Sequence, residues 1–197
     1  MIKFDRIIKS LPELSKPIAM PDYSDSLKAS AVLLILHLVD DEWQLLLTKR
    51  ADHLKHHAGQ ISFPGGKYEL GDEHLVETAI RETEEEIGIN RQLPQVISQL
   101  ANHSTLTGYR IYPYVALIET LPVLVIDKGE VDNIFSVPLS FLINKANHQL
   151  QSVNYNNIDY DVYKIIWQDK TIWGATARMI VNLSDYLNAD EQAHTSL

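Results

Sequence analysis

The chain contains no cysteine among its 197 residues. Disulfide bonds, thiolate nucleophiles, zinc fingers and iron–sulfur clusters are therefore excluded, and this composition fits a reducing compartment. Basic residues are also few: 17 Lys and Arg stand against 26 Asp and Glu, so the formal net charge is −9. Binding to a nucleic-acid backbone needs a basic face, and we expect no nucleic-acid partner. An anionic substrate would need another attractor, for which a divalent cation is the obvious candidate.

Long apolar runs are missing as well. The longest one, Ala29 to Leu38, is interrupted by Ser30 and His37, and it is far shorter than the ~20 residues that a membrane-spanning helix needs. The first residues, Met1 to Arg6, show no apolar segment of a signal peptide. We therefore expect no membrane partner and a cytoplasmic protein. With 45 % hydrophobic and 22 % charged residues, the chain has the composition of one globular domain.

Hydrophobic periodicity predicts strands interleaved with a few helices. Apolar residues at helical spacing predict a short amphipathic helix over 1–15, within an N-terminal extension of about 1–20. Two more helices are expected, one after the polar loop that ends at Pro64 and one over 174–187. Strands are predicted over 29–38, 43–49, 95–101, 111–119, 134–137 and 160–167. No linker or repeat divides residues 1–197, so the pattern favours one α+β or α/β/α layered domain, least clearly over 121–158.

The helix after the polar loop has an apolar stripe at steps of three and four, which would face the core. The stripe consists of Leu75 or Val76, Ala79, Ile80, Thr83 and Ile87. Gly88 stands where a helix commonly ends in a left-handed glycine. We therefore expect the helix to end at this glycine.

A second face of the same helix carries Glu82, Glu85 and Glu86. At about 100° per residue, Glu82 and Glu86 point within roughly 40° of each other, and Glu85 lies about 60° to the other side of Glu82. Three carboxylates this close repel each other, and the negative end of the helix dipole disfavours them further. Bound Mg²⁺ or Mn²⁺ would remove the conflict, because hard cations prefer oxygen ligands.

The simpler alternative for this acidic run is a solvated helix face, which is the commoner case for such a run taken alone. Its context favours a ligand instead. Gly65 and Gly66 follow Pro64 and let the backbone turn tightly and approach a ligand closely. Arg81 lies four residues from both Glu77 and Glu85, where its guanidinium can orient a carboxylate.

These residues resemble the Nudix box, G-x5-E-x7-R-E-U-x-E-E-x-G-U with U apolar. Gly66 matches the first glycine, and Arg81-Glu82-x-x-Glu85-Glu86-x-Gly88-Ile89 matches the second half position by position. Asp72 occupies the position of the first glutamate with one extra residue before Arg81, whereas Glu73 keeps the spacing to Arg81 and moves the extra residue into the preceding loop. Thr83 fills a position that is usually apolar.

A second resemblance precedes the box and narrows the family. Residues 46–66 are similar to the motif of the coenzyme A pyrophosphatase branch, L-L-T-x-R-[SA]-x3-R-x3-G-x3-F-P-G-G. Arg50 matches the first arginine, and Lys55 replaces the second. Lysine keeps the charge but loses the bidentate fork that binds phosphate. Softer matches to the branch are Leu106-Thr107-Gly108-Tyr109 and Trp173-Gly174-Ala175-Thr176-Ala177.

The resemblance implies an α/β/α sandwich with a mixed sheet between helices, and metal-dependent hydrolysis of coenzyme A or its derivatives to 3′,5′-ADP and 4′-phosphopantetheine. Glu82 and Glu86 would hold Mg²⁺ or Mn²⁺, with Glu85 as a third ligand or a group that orients water. Glu85 or Glu130 would act as general base, and Arg81 would support the catalytic carboxylates. The substrate-binding residues would be Arg50, Lys55, Gly65 and Gly66.

Other interpretations remain open at this point. The chain would instead be a Nudix enzyme for ADP-ribose, NADH or a nucleoside triphosphate, or a non-catalytic nucleotide-binding sensor on the same fold. His53, His56 and His57 are more simply explained as solvated loop residues than as metal or phosphate ligands, and Glu130 as a surface turn residue. The sequence leaves the oligomeric state open, a homodimer included.

Overall fold

A computed structural model of the chain describes residues 10–12, 26–155 and 157–194. The strands are β1 Lys28–Val39, β2 Glu42–Arg50, β3 Ile61–Ser62, β4 Gly65–Lys67, β5 Gln95–Gln99, β6 His103–Ser104, β7 Tyr109–Ile118, β8 Val131–Pro138, β9 Gln149–Tyr155, β10 Ile158–Trp167 and β11 Lys170–Trp173. The helices are α1 Leu75–Ile87, α2 Leu139–Leu142 and α3 Gly174–His194, with a 3₁₀ turn at Lys145–Asn147.

Strands β1 and β2, predicted over 29–38 and 43–49, pair as a hairpin. Leu36 pairs with Leu45, and Val39 pairs with Glu42 next to the turn. The two turn residues, Asp40 and Asp41, have φ angles of 48° and 62°. Two consecutive positive φ angles are typical of a type I′ turn, whose twist matches that of the strands it joins. This hairpin is the start of the main sheet.

The main sheet is mixed, as expected. Its principal order is β3-β2-β1-β7-β5, and β4, β6 and β8 pair with β1, β7 and β2 respectively. β1 runs parallel to β7, whereas the other pairs are antiparallel. Because β1 pairs with β2 near one end and with β4 near the other, β4 lies in the sheet directly beside the central strands.

Residues of β1 alternate between two apolar layers, because successive side chains of a strand point to opposite faces. Ala31, Leu33 and Ile35 belong to the layer covered by α1. The intervening residues 32, 34 and 36 belong to the layer covered by α2, α3 and part of a second sheet. Helices therefore cover both faces of the mixed sheet, and the predicted α/β/α sandwich is confirmed.

The second sheet is antiparallel, in the order β11-β10-β9. Only β10 was expected, over 160–167. Strand β9, Gln-Leu-Gln-Ser-Val-Asn-Tyr, is mostly polar and largely exposed, and β11 has four residues, so neither carries a clear apolar period. Ile165 and Ile172 anchor this sheet in the layer below α3. The region 121–158, where the sequence pattern is least clear, contains β8, α2, the 3₁₀ turn and β9.

The predicted N-terminal helix, over 1–15 in an extension of about 1–20, lies outside the described residues except for 10–12. In that short piece Leu11 is buried, and the Pro12 carbonyl accepts a hydrogen bond from Ser98 Oγ at 2.6 Å. Among the described helices, none is long and apolar enough to cross a membrane.

Helix α1 ends at Gly88, as predicted. Gly88 has a left-handed backbone with φ 74° and ψ 18°, and its N–H donates to the Glu84 carbonyl. A Cβ at this position would lie 2.9 Å from Cβ of Val125. Glycine therefore satisfies both the backbone conformation and the close approach of the following loop.

The substitution Gly88→Ala is expected to lower the free energy of unfolding by about 1–2 kcal/mol, since a left-handed backbone disfavours any Cβ. Urea unfolding followed by circular dichroism measures the loss. Gly71→Ala is the matched control, because a Cβ there meets no atom within 4 Å. A loss for Gly88→Ala no larger than that of the control would contradict this account of the helix end.

Candidate active site

A glycine turn and the acidic face of α1 lie in direct contact. The Gly65 N–H donates to Glu86 Oε2 at 3.2 Å. A Cβ on Gly66 would lie 2.3 Å from the carboxyl carbon of Glu82, and a Cβ on Gly65 would lie 2.3 Å from the Ala31 carbonyl oxygen. Any side chain at either glycine would collide with its neighbours, so the two glycines allow the carboxylates to pack against β4.

Arg81 binds three carboxylates with one guanidinium. Its Nε and Nη2 donate to the two oxygens of Asp72 at 2.9 and 3.1 Å, and its Nη1 donates to Glu82 and to Glu85 at 3.0 Å each. Nη2 also donates to the Lys67 carbonyl at 3.2 Å. The Arg81 side chain is only 12 % exposed. It therefore connects the loop before α1 to two of the three candidate glutamates.

The structure places Asp72, rather than Glu73, as the partner of Arg81. Glu73 is exposed, and its N–H donates to the carboxylate of Glu77. Of the two glutamates four residues from Arg81, only Glu85 binds the guanidinium, and Glu77 does not. The extra residue therefore lies between Asp72 and Arg81, and the Asp72 carboxylate still accepts from Arg81 Nε at 2.9 Å.

Hydrogen bonds hold Asp72 in its ionised form. Burial alone would raise the pKa of its carboxyl, but the donors Arg81, Thr78 Oγ1 and the Glu69 N–H outweigh that effect and lower the pKa. The bond from Thr78 Oγ1 to Asp72 Oδ2 is 2.8 Å and buried. Sequence reasoning missed Thr78; the available signal was a threonine three residues before Arg81, on the same helix face.

Glu86 is the most deeply buried carboxylate of the acidic face. Burial is the largest cause that raises its pKa to about 8; the negative charges of Glu82 and Glu130 act in the same direction, and the Gly65 N–H and the Arg50 guanidinium oppose them. The nearest Arg50 nitrogen, Nη1, is 3.9 Å from Glu86 Oε1. The carboxylate therefore lacks enough positive charge nearby to offset its burial.

Glu82 is in a similar position. Burial raises its pKa, Arg81 opposes that shift, and the charges of Glu85 and Glu130 add to it. Glu85 differs from both: its side chain is 53 % exposed and points to Arg81 Nη1. The acidic face thus contains two partly desolvated carboxylates and one that is solvated.

Glu130 approaches these carboxylates from a separate loop. Its side chain is exposed, and its charge is felt by both Glu82 and Glu86. The loop is fixed by backbone bonds: the Glu130 carbonyl accepts from the Ala51 N–H at 2.9 Å, and the Asp127 N–H donates to the Glu86 carbonyl at 2.9 Å. The fold therefore brings Glu130 to the acidic face, from 44 residues further along the chain than Glu86.

The two predicted phosphate-binding residues are in different surroundings. Arg50 is three-quarters buried, and its Nε is buried without a hydrogen-bond partner among the described residues. Lys55 is exposed in the middle of the loop between β2 and β3. Arg50 is therefore next to the carboxylates, whereas Lys55 is not packed against them.

The loop histidines are exposed, as expected for solvated residues. His53 Nε2 lies 3.2 Å from the Gly129 carbonyl, which connects this loop to the one that carries Glu130. His57 Nδ1 lies 2.8 Å from Gln60 Oε1, and His56 is exposed. None of these contacts aims a ring nitrogen at the acidic face.

The fit of these residues to a divalent ion rests on the chemistry of Glu82 and Glu86. Both carboxylates offer oxygen atoms as metal ligands. Both are partly buried, and the neighbouring positive charge does not offset that burial. Among the described residues, no group of three or more acidic or histidine side chains is arranged to hold a metal ion. Mg²⁺ commonly takes one or two carboxylates and completes its shell with water and substrate phosphate. The pair therefore fits such an ion.

The chain is similar in sequence to known proteins. The sequence model described as the NUDIX domain matches residues 28–154. Proteins called uncharacterized Nudix hydrolase NudL, from Yersinia pestis strain Pestoides F and Yersinia pseudotuberculosis serotype O:1b, are 32 % identical over 184 residues, which is 93 % of this chain and 92 % of theirs.

Solved structures resemble the fold. The MutT protein from Methanosarcina mazei has a TM-score of 0.52 and 20 % identity, over 88 % of this chain and 99 % of that one. A MutT/nudix family protein from Enterococcus faecalis has a TM-score of 0.54 and 16 % identity, over 87 % of this chain and 65 % of that one. At these identities the two structures support the fold alone.

Asp72→Asn is expected to lower the free energy of unfolding at pH 7 by about 2–3 kcal/mol, because it removes a buried charge partner of Arg81. The pKa of Asp72 is lowered from 3.8 in the folded protein, so its stabilising effect is present above pH 3.8. The effect is lost as the pH falls through the lower, folded value. Urea unfolding at pH 7, 5, 4 and 3 should show the two proteins converging only at the acid end.

Asp169→Asn is the control. The pKa of Asp169 is also lowered, chiefly by a hydrogen bond from Lys170, but its side chain is 81 % exposed. Solvent screens such a pair, so we expect no measurable change in stability. Equal effects of the two substitutions, or a difference between wild type and Asp72→Asn that is the same at pH 3 and pH 7, would refute the ion-pair argument.

Proposed function

Because this chain belongs to the Nudix hydrolase family, we propose that it cleaves the pyrophosphate bond of coenzyme A and its acyl derivatives. The products would be 3′,5′-ADP and 4′-phosphopantetheine or its acyl form. One observation supports this substrate most directly. The segment 46–66, which resembles the coenzyme A branch motif, lies against helix α1, since both Arg50 and Gly65 reach Glu86.

Glu82 and Glu86 are the proposed holders of Mg²⁺ or Mn²⁺, with Glu85 as a third ligand or a group that orients water. Held by these residues, such an ion would supply positive charge for the phosphates of the substrate and make a water molecule more acidic. Arg81 Nη1 donates a hydrogen bond to both Glu82 and Glu85 and so restrains their carboxylates. Gly65 and Gly66 let the backbone lie next to these carboxylates.

Arg50 is the proposed contact for substrate phosphate. Its guanidinium is near Glu86, but Nη1 is 3.9 Å from Glu86 Oε1, which is beyond hydrogen-bond distance, so Nη1 retains its donors for an anionic ligand. Lys55 is proposed to attract a second phosphate of the substrate. As a mobile point charge in an exposed loop, it would contribute less orientation than an arginine.

Glu130 is proposed as the general base rather than Glu85. Glu85 Oε2 already accepts a hydrogen bond from Arg81 Nη1 at 3.0 Å, so that oxygen is engaged. The carboxylate of Glu130 forms no hydrogen bond or ion pair with the residues that the structure describes, and it lies close enough to Glu82 and Glu86 to influence both. It therefore meets the two requirements of a base, namely proximity and a free acceptor oxygen.

Incubation with coenzyme A and Mg²⁺ or Mn²⁺ in H₂¹⁸O, followed by mass spectrometry, is expected to yield 3′,5′-ADP and 4′-phosphopantetheine. One product should contain a single ¹⁸O, which identifies the phosphorus that water attacks. The same assay with ADP-ribose, NADH and nucleoside triphosphates is the comparison. Faster turnover of ADP-ribose than of coenzyme A would show that coenzyme A is not the preferred substrate. Nucleotide binding without turnover at any metal concentration would indicate a non-catalytic sensor.

Glu82→Gln and Glu86→Gln are each expected to lower kcat by two orders of magnitude or more, because a neutral amide cannot replace a carboxylate ligand. Thermal unfolding should show both variants folded, since amides remove the repulsion between buried carboxylates. Glu84→Gln, on the same helix but paired with Arg91 away from the glycine turn, is the control. A loss of less than about tenfold, or ~1.4 kcal/mol, in either variant would reject its role as a metal ligand.

A further inference from the structure

The hydroxyl of Thr78 forms its hydrogen bond with a residue outside its own helix. The residue is fully buried in α1, and Oγ1 donates to Asp72 Oδ2 at 2.8 Å. Buried threonines in helices commonly bond instead to the carbonyl four residues earlier. Thr83, on the same helix and equally buried, does so, since its Oγ1 donates to the Ala79 carbonyl at 2.6 Å. The two threonines differ in the partner of the hydroxyl and not in burial.

The carboxylate of Asp72 is held between two residues of one helix. Thr78 and Arg81 are three positions apart and therefore on the same face of α1. Asp72 Oδ2 accepts from Thr78 Oγ1, Arg81 Nη2 and the Glu69 N–H, while Oδ1 accepts from Arg81 Nε. The two bonds from Arg81 define the plane shared by the carboxylate and the guanidinium, and the bond from Thr78 restrains rotation of that plane.

The orientation of the Arg81 guanidinium determines how it binds the carboxylates of the acidic face. Arg81 is planar and rigid, so its Nη1 is directed by the bonds that Nε and Nη2 make to Asp72. Nη1 binds Glu82 and Glu85 at 3.0 Å. A continuous set of hydrogen bonds thus runs from Thr78 through Asp72 and Arg81 to two carboxylates of the candidate site.

We propose that Thr78 is a positioning residue, which acts through Asp72 and Arg81 to fix the carboxylates of Glu82 and Glu85. Thr78 touches neither substrate nor a candidate ligand, so its effect depends on the Asp72–Arg81 pair. The inference rests on the proposed metal-dependent function for its consequence in catalysis. Its structural part, the orientation of Arg81, stands independently.

Thr78→Val tests this with almost no change in side-chain volume, and Thr78→Ser should restore the hydroxyl bond. Thr83→Val is the matched control. The first measurement is the NMR signal of the Arg81 Nε–H in metal-free protein, assigned by its loss in Arg81→Lys. We expect its hydrogen exchange to be about tenfold faster in Thr78→Val, and unchanged in Thr78→Ser and Thr83→Val.

The second measurement is Mn²⁺ affinity, by electron paramagnetic resonance at a temperature where all variants are folded. Residues that orient metal ligands commonly contribute about 10- to 100-fold to metal affinity or activity. For the more remote Thr78 we expect a loss of about threefold to tenfold in Thr78→Val, recovered in Thr78→Ser and absent in Thr83→Val. The kcat for coenzyme A should fall in the same order, with little change in KM.

The outcomes separate the two proposals. A lower melting temperature in Thr78→Val, with wild-type Arg81 exchange and Mn²⁺ affinity, would show a purely structural role and overturn the inference. If wild-type protein binds Mn²⁺ but does not hydrolyse coenzyme A, the proposed substrate is wrong. The role of Thr78 is then decided by the Arg81 Nε–H exchange and the Mn²⁺ affinity. Wild-type protein that binds no Mn²⁺ would overturn the metal site together with the role of Thr78 in it.

Discussion

The burial of two glutamates against a glycine turn is the constraint on which the candidate site depends. Burial disfavours the charged forms of both Glu82 and Glu86, whose pKa values are raised. Little positive charge reaches them, because Arg50 stays 3.9 Å from Glu86 and Arg81 divides one guanidinium among three carboxylates. Desolvated charges cost several kcal/mol each unless they are fully paired. Such a local conflict is expected where a binding or catalytic role requires it.

Rigid elements hold this arrangement in place. The apolar stripe of α1 packs on one face of the sheet, so the helix cannot rotate its carboxylates away from β4 without exposing Leu75, Ala79 and Ile87, which are fully buried. On the other side of the carboxylates, β4 is paired with the central strand β1. The contact between Gly66 and Glu82 is therefore set by two packed elements, and not by a flexible loop. Sites built on such elements are precise because their supports share the domain core.

Local patterns explain which features were predictable from sequence. The apolar stripe of α1 and the glycine at its end follow from the spacing of neighbouring residues, so both were predicted correctly. The choice between Asp72 and Glu73 depends on the path of a loop, which spacing does not encode; burial and Thr78 decide it in favour of Asp72. The short or polar strands of the second sheet form because tertiary neighbours complete them. The approach of Glu130 to Glu82 and Glu86 likewise depends on the fold, because Glu130 lies on a loop and the two glutamates lie on α1.

Under the proposed function, the chemistry of the site and its choice of substrate depend on different residues. The carboxylates on α1 would suit any pyrophosphate substrate with a divalent ion, so selection would come from residues outside that helix. The loop between β2 and β3 is closed by a bond from the Arg50 N–H to the Gln60 carbonyl at 2.9 Å, which places Arg50 at its base and Lys55 in its exposed middle. Under the proposed function, a buried arginine orients one phosphate, whereas a solvated lysine adds attraction that salt screens. Substrate preference can therefore change through this loop while the acidic helix stays the same.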